Sequence, residues 1–284
     1  MQWTAGRVKV TRIVELEAVG GTRFILPEAT PDEVQAMPWL VPDFANDKGR
    51  LKTTIHALVV ETPSQRIVVD TGLGNDKEGR NVPTWNRLNT PFLETMTAAG
   101  FPPDSINLVL CTHLHVDHVG WNTRLVDGRW EPTFTNARYL FGRDEYTYWA
   151  GHRDEPSHPP ASFDDSVQPI VDAGLADLIG PDHRVSDEIS LIATPGHSPG
   201  HLSVLITSEG EQLLLAGDAA HHPVQFTRPE WSSTADYDAA AAARTRRALL
   251  ERITDTPTQI IGGHFAGGRV VRDGNAFRMA MDRG

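Results

Sequence analysis

Residues 113–118 read HLHVDH, and directly before them INLVLCT (106–112) is an unbroken apolar run. Such a run suits a strand buried on both faces, as in a parallel sheet. The chain must therefore leave a buried strand and at once place His113, His115, Asp117 and His118 in a short loop. Polar side chains at the end of a buried strand need partners, because an unsatisfied buried polar group costs free energy. Imidazole is the commonest nitrogen ligand of zinc, and a carboxylate can serve one metal or bridge two. A loop at a strand end aims alternate side chains at different points. His113 and His115 can then converge on one ion while Asp117 and His118 turn toward a second.

Three later stretches repeat that syntax of apolar strand, tight turn and ligand-type residue. TPGHSPGH (194–201) carries His197, LLLAGDAAHH (213–222) carries Asp218, and IIGGHF (260–265) carries His264. A lone GH or GD means little. Four such sites, at strand ends where open α/β sheets gather their ligands, outweigh the alternative of a solvated His-rich turn.

The remaining pattern predicts strands over 8–17, 55–62 and 66–72, then over 189–194, 201–207 and 212–217, with a last strand at 258–263. Helices are predicted for PTWNRLNTPFLETMTAAG, ending at Gly100, and for 237–253, and Thr30-Pro31-Asp32-Glu33 resembles a helix start. Two stretches of strands, each followed by helix, suggest two packed sheets with helices outside. With no Gly/Ser linker, residues 1–284 read as a single α/β domain. A surface excursion at about 22–50 and a variable, lid-like segment at about 121–185 interrupt it.

Composition narrows the partners. A net charge of -11 repels phosphate backbones and anionic lipids, so neither nucleic acid nor membrane is expected. Arg244, Arg246 and Arg247 alternate with Ala and Leu and read as a solvated helix face. Cys111 is the single cysteine, which excludes an intrachain disulfide, and its place on the buried strand makes it a core residue. The N-terminal MQWTAGRVKVTRIVELE lacks the apolar centre of a signal peptide, and no run reaches transmembrane length, so a cytoplasmic location is expected.

The ligand pattern resembles the metallo-β-lactamase superfamily, whose His-x-His-x-Asp-His signature stands here as HLHVDH, with the later ligands at His197, Asp218 and His264 in family order. The resemblance implies a four-layer αβ/βα sandwich. It also implies that His113, His115 and His197 hold one metal, that Asp117, His118 and His264 hold the other, and that Asp218 bridges them. Zinc is the default for these two divalent ions, though the same donors accept iron, manganese or cobalt. Such a site leaves room for a metal-bridging hydroxide as nucleophile. Asp117, Asp218 and His221 are the catalytic candidates. Asp70, in VVDTG, matches a recurrent family turn, where it supports ligands or caps the turn; His201 is expected to brace its loop.

His118 replaces the arginine usual in the two commonest zinc classes of secreted β-lactamases, which disfavours antibiotic hydrolysis. Only twenty residues follow His264, too few for the helical domain of glyoxalase II relatives. Quorum-quenching lactonases and related broad esterases fit better, so the expected partner is a small-molecule lactone or carboxylic ester. Hydrolysis of organophosphate triesters or phosphodiesters is the alternative, and a non-catalytic metal-binding protein a second one. Well-known acyl-homoserine lactonases have tyrosine three residues after the bridging aspartate, where this chain has His221 followed by His222. His221, His222 and Phe226 are thus the candidate substrate contacts, with an even balance between contact and structural roles for the two histidines. A homodimer, with 22–50 reaching toward the partner, is compatible with the resemblance.

Overall fold

The apolar run at 106–112 forms a strand with all four residues of its ordered part, Leu108–Cys111, buried. The computed structural model describes residues 1–153 and 160–281. Its strands in chain order are β1 (Gln2–Ala5), β2 (Val8–Val19), β3 (Lys52–Glu61), β4 (Arg66–Val69), β5 (Leu108–Cys111), β6 (Thr123–Val126), β7 (Arg129–Pro132), β8 (Arg138–Gly142), β9 (Ala176–Ile179), β10 (Ile189–Ala193), β11 (Leu202–Ser208), β12 (Glu211–Gly217), β13 (Gln259–Gly262), β14 (Gly268–Asp273) and β15 (Ala276–Ala280). The α-helices are α1 (Pro31–Gln35), α2 (Phe92–Ala98), α3 (Val116–Val119), α4 (Arg143–Gly151), α5 (Pro160–Ser166), α6 (Gln168–Asp172), α7 (Val224–Thr227) and α8 (Ala239–Ile253). Among the described residues no helix is long and apolar enough to cross a membrane.

Contacts divide the chain into two compact units, Met1–Glu15 with Ile55–His183, and Leu16–Thr54 with Arg184–Gly284. The first contains most of a seven-stranded sheet ordered β1-β2-β3-β4-β5-β8-β9, of which β2 and β3 run on into the second unit. Strands β4, β5, β8 and β9 are mutually parallel, so they end on one edge. Val68, Val109, Tyr139 and Phe141 of the sheet pack with Phe92 and Met96 of α2, Trp149 of α4, Phe163 of α5 and Ile170 of α6. Burying each such side chain contributes roughly 1.5–3 kcal/mol before the entropic cost.

The second unit holds the sheet β10-β11-β12-β13-β14-β15. Strands β10 and β12 run the same way because each is antiparallel to β11, and β13 is parallel to β12. These three strands also end on one edge. Leu214, Ile260, Val270 and Phe277 pack with Leu249, Leu250 and Ile253 of α8. Leu26, Val34, Met37, Leu40 and Phe44 from 22–50 join them, so that segment supplies core as well as surface. Val34 comes from α1 and Leu40 from a 3-10 turn at Pro38–Leu40, with Leu26, Met37 and Phe44 from the segments around them. Thr30 caps α1, its Oγ1 accepting the N–H of Glu33.

Three local readings change. The helix expected from Pro83 is a 3-10 turn at Pro83–Trp85, and only Phe92–Ala98 is α-helical. Proline at position 91 has no N–H to continue a helix, and Asn86 turns its amide onto the carbonyls of Arg80 and Val82. The strand at Gln259–Gly262 is followed by a further hairpin, β14–β15, turning at Gly274-Asn275 with Gly274 at φ 59°. Finally, Arg246 is 1% exposed while Arg244 and Arg247 are exposed, so the arginine face of α8 is only partly solvated.

A buried ion group ties α5 to the loop after β4. Asp165 carboxylate oxygens lie 2.9 Å and 3.0 Å from the Arg80 guanidinium and 3.5 Å from Lys77 Nζ, and Lys77 sits 3.7 Å from the centre of the Trp130 ring. Burial pushes the Lys77 ammonium down to about 7, against the pull of Asp165. Removing one partner of a buried pair leaves an uncompensated charge, at a cost of about 3–5 kcal/mol. Asp165→Ala is therefore expected to lower the unfolding free energy by that amount in denaturant titration; a loss below about 1 kcal/mol would show that the ion group does not hold α5.

Candidate metal centre

In the first unit the ligand-type residues follow β5. The backbone N–H and Oγ1–H of Thr112 both donate to Asp70, at 2.8 Å each. Asp70 follows β4 at φ 55°, and its Oδ2 also lies 2.8 Å from His118 Nδ1. A carboxylate oxygen only accepts, so Nδ1 of His118 carries the proton and Nε2 is the ligand-type nitrogen. The same logic passes through Thr112. Its hydroxyl proton points to Asp70, so its oxygen accepts from Nδ1 of His113 at 3.1 Å, leaving Nε2 of His113 with a lone pair. The His113 ring lies 4.1 Å from that of His118 and 4.6 Å from that of His115. Asp117 Oδ1 is 3.9 Å from His118 Nε2.

The loop around these rings is pinned from several sides. Thr71 N–H donates to His118 O at 2.8 Å, and a Cβ on Gly120 would lie 1.9 Å from the backbone of Leu73, so only glycine passes there. His115 rests against the Trp149 ring at 5.4 Å. Trp149 Nε1 and the Leu114 N–H both donate to Glu145 Oε1, at 2.6 Å and 3.1 Å.

In the second unit, three imidazoles surround one carboxylate oxygen. Asp218 Oδ2 lies 3.1 Å from His264 Nε2, 3.3 Å from His221 Nε2 and 3.5 Å from His197 Nε2. Nδ1 of His197 donates to Asp236 Oδ1 at 2.9 Å, and Nδ1 of His264 to Thr54 O at 3.1 Å. In their neutral forms these two rings therefore aim Nε2 lone pairs at a carboxylate oxygen, which repels them unless a cation stands among them. Nitrogen and oxygen donors with fixed tautomers suit a divalent ion. His197, His221 and Asp236 also bring ligand atoms within 4.8 Å of one another, but Asp236 Oδ1 is engaged by His197 Nδ1 and acts as support for that ring.

Asp218 is held in turn by His201, whose Nε2 accepts the Asp218 N–H at 3.0 Å and whose Nδ1 donates to Thr194 Oγ1 at 2.8 Å, the bracing role expected of it. His197 sits on a turn docked against α8. Gly196 has φ 133°, and a Cβ there would meet Ala242 N at 2.3 Å.

His221 and His222 differ. Both ring nitrogens of His222 are engaged: Nδ1 accepts the Val224 N–H at 3.0 Å and Nε2 donates to Phe44 O at 2.9 Å. Burial pushes its pKa down to about 4. Phe226 is fully buried in the core under α8. His221 is buried as well, with pKa pushed down to about 3 by burial against the pull of Asp218, and its Nδ1 has no hydrogen-bond partner among the described residues.

Several site residues were not visible in the sequence. Asp236, in SSTADYD, follows no strand and so lacks the syntax that exposed the candidate ligands; Glu145 and Gln225 lie in helices of ordinary appearance. Cys111 is buried in the core as expected. His158 lies outside the described residues.

The family model of the Metallo-beta-lactamase superfamily matches residues 52–264. The chain belongs to that superfamily and is a metal-dependent hydrolase of it, with the superfamily's fold over its whole length. Among its relatives, the N-acyl homoserine lactonase of Bacillus thuringiensis is 27% identical over 227 residues, covering 75% of this chain and 82% of that protein. A probable metallo-hydrolase of Mycobacterium tuberculosis is 26% identical over 180 residues, covering 59% and 57%. Among solved structures, the hydrolase AbOPH matches with a TM-score of 0.80 at 22% identity, covering 100% of this chain and 97% of that one. AidC, a dizinc quorum-quenching lactonase solved with an acyl-homoserine product, matches with a TM-score of 0.79 at 19% identity and the same coverage.

Asp70 carries a clear expectation. Asp70→Asn keeps the shape but puts an amide where two oxygens accept from Thr112 and His118, so metal affinity should fall about 10–100-fold, as for other partners of metal-ligating histidines. Competition with a chromophoric chelator measures this; unchanged affinity would reduce Asp70 to a turn residue.

Proposed function

We propose that the chain is a binuclear-metal hydrolase of lactones or carboxylic esters. The observation that carries this reading is the convergence of three imidazole nitrogens on Asp218 Oδ2, two of them with tautomers fixed from behind. In this reading His113, His115 and His197 hold one ion, Asp117, His118 and His264 the other, and Asp218 serves both. Zinc is the ion we expect, as in the dizinc lactonase of the same fold. Two bound divalent ions supply Lewis acidity and bring the ionisation of water near neutral pH.

The chain's own residues supply the rest. Asp218 accepts the proton that the attacking water gives up. His221, three residues beyond it, stands where a neutral imidazole N–H can donate to the carbonyl oxygen as negative charge develops there, the role we assign to it over His222 and Phe226. The lactone preference is supported by the Bacillus thuringiensis relative, an N-acyl homoserine lactonase, and a small-molecule substrate by the acyl-homoserine product seen in AidC.

Two variants and a substrate panel test this. Asp218→Ala should stay folded, lose metal and lose hydrolysis; full turnover in that variant would sink the assignment. His221→Phe should keep two ions per chain while kcat falls about 100-fold or more, the usual effect of removing one oxyanion donor. An unchanged kcat would return His221 to a packing role. Metal content and turnover should be read on one sample against homoserine lactones, aliphatic lactones, aryl esters and an aryl phosphotriester. Turnover of the phosphotriester alone would replace the lactone reading, and an inert, metal-free sample would replace the enzymatic one.

A further inference from the structure

Helix α8 carries four arginines, of which Arg246 alone is buried, at 1% exposure. A guanidinium taken out of water is costly unless its donors are satisfied and its charge is paired. Arg246 Nε donates to Ala219 O at 2.9 Å, and Nη1 donates to Pro229 O at 2.6 Å and to Trp231 O at 2.8 Å. Its Nη2 lies 3.7 Å from Asp236 Oδ2, an ion-pair distance.

Three of these partners, Ala219, Trp231 and Asp236, lead to the side chains around Asp218. Ala219 follows Asp218 in the chain. Trp231 O also accepts from Gln225 Nε2 at 2.9 Å, and Gln225 Oε1 accepts the backbone N–H of His221 at 2.7 Å. Asp236 Oδ2 accepts the Ser233 N–H at 2.9 Å while Oδ1 takes the His197 Nδ1 proton at 2.9 Å. One turn before Arg246, α8 also supports the His197 turn through Gly196 against Ala242, and Thr245 Oγ1 donates to Pro195 O at 2.7 Å. One side chain therefore ties the carbonyl behind Asp218, the segment that fixes His221 and the carboxylate that aims His197.

We propose that Arg246 is a positioning residue of the metal centre, acting through Asp236 on His197 and through Ala219 on Asp218. This rests on the binuclear reading, but metal binding rather than turnover tests it, so a wrong substrate class leaves the test intact. Arg246→Met removes the charge and the donors at similar volume; Arg246→Lys keeps the charge with fewer donors. Zinc affinity is measured by chelator competition, and the cobalt-substituted proteins are compared by visible spectrum, with far-UV circular dichroism confirming the fold. Arg246→Met should weaken the binding of one ion about 10-fold or more and shift the cobalt spectrum, with Arg246→Lys recovering part of both. Because the effect on His197 runs through Asp236, losses in Asp236→Asn with Arg246→Met should be less than the product of the single losses.

A folded Arg246→Met with parental affinity and spectrum overturns the proposal, as do fully multiplicative losses in the double variant. If neither Arg246 variant folds, Asp236→Asn decides. Weakened binding with an altered spectrum supports the relay, and parental behaviour overturns it. A parent chain that takes up no more than one ion overturns this proposal and the binuclear reading together.

Discussion

A neutral imidazole has one proton to place, and the nitrogen that keeps it cannot bind a metal. In this chain that choice is made by buried acceptors. Asp70 takes the Nδ1 proton of His118, Thr112 that of His113, Asp236 that of His197 and the carbonyl of Thr54 that of His264. Each bond fixes ring orientation as well as tautomer, so the ring nitrogens of these candidate ligands are held in place by the protein itself. Without those acceptors the histidines would rotate, protonate or bond to one another, and the cluster would be a polar defect at the end of a core strand.

The fold supplies the acceptors by ending several strands at one edge. In the first unit the parallel strands β4 and β5 deliver Asp70 and His113 from adjacent positions, and β8 runs into α4, which contributes Glu145 and Trp149. In the second, β10, β12 and β13 end together and deliver His197, Asp218 and His264. Parallel ends are useful because each strand is followed by a turn free to carry a polar residue, while the strand before it stays apolar and rigid. Close backbone approaches then set the turns. Gly120 against Leu73 and Gly196 against α8 are positions where any side chain would collide.

This explains which parts of the protein could be read from its residues. His113, Asp218 and His264 each interrupt an apolar strand pattern, and that contrast is local, so a window of ten residues reveals it. Asp236 interrupts nothing, and its role exists only because the chain returns to His197 from 39 residues away. Arg246 misled for a related reason. Arg244, Arg246 and Arg247 read together as a solvated face, but Arg246 falls on the buried stripe of Ala242, Leu249, Leu250 and Ile253, where the carbonyls of Ala219, Pro229 and Trp231 and the carboxylate of Asp236 make a guanidinium tolerable. The first part of the helix expected at 83–100 is replaced by a 3-10 turn through side-chain chemistry, since Asn86 bonds the backbone of its own turn. The β14–β15 hairpin lies beyond the strand expected to be last, although Asp273-Gly274-Asn275 carries a turn signal flanked by alternating residues.

The buried charges beyond the ligands follow a common rule. Glu15 is raised in pKa by burial, yet its carboxylate accepts from the N–H groups of Leu73 and Gly74 at 2.6 Å and 3.1 Å and from Trp121 Nε1 at 2.7 Å. That holds the turn following Asp70. Asp165 gathers Lys77 and Arg80 beneath α5, which packs against α3, the turn that carries Asp117 and His118. Apolar residues of equal volume could fill such places with equal or greater stability, so cohesion alone does not explain the Glu15 carboxyl, the Asp165 group and the Arg246–Asp236 pair. What a buried carboxylate or guanidinium adds is direction, because its hydrogen bonds are satisfied in one backbone arrangement and broken in others. Each group stands one step behind a turn that carries candidate ligands, where a small shift would move a donor atom. Local cost is therefore concentrated where positional accuracy matters most.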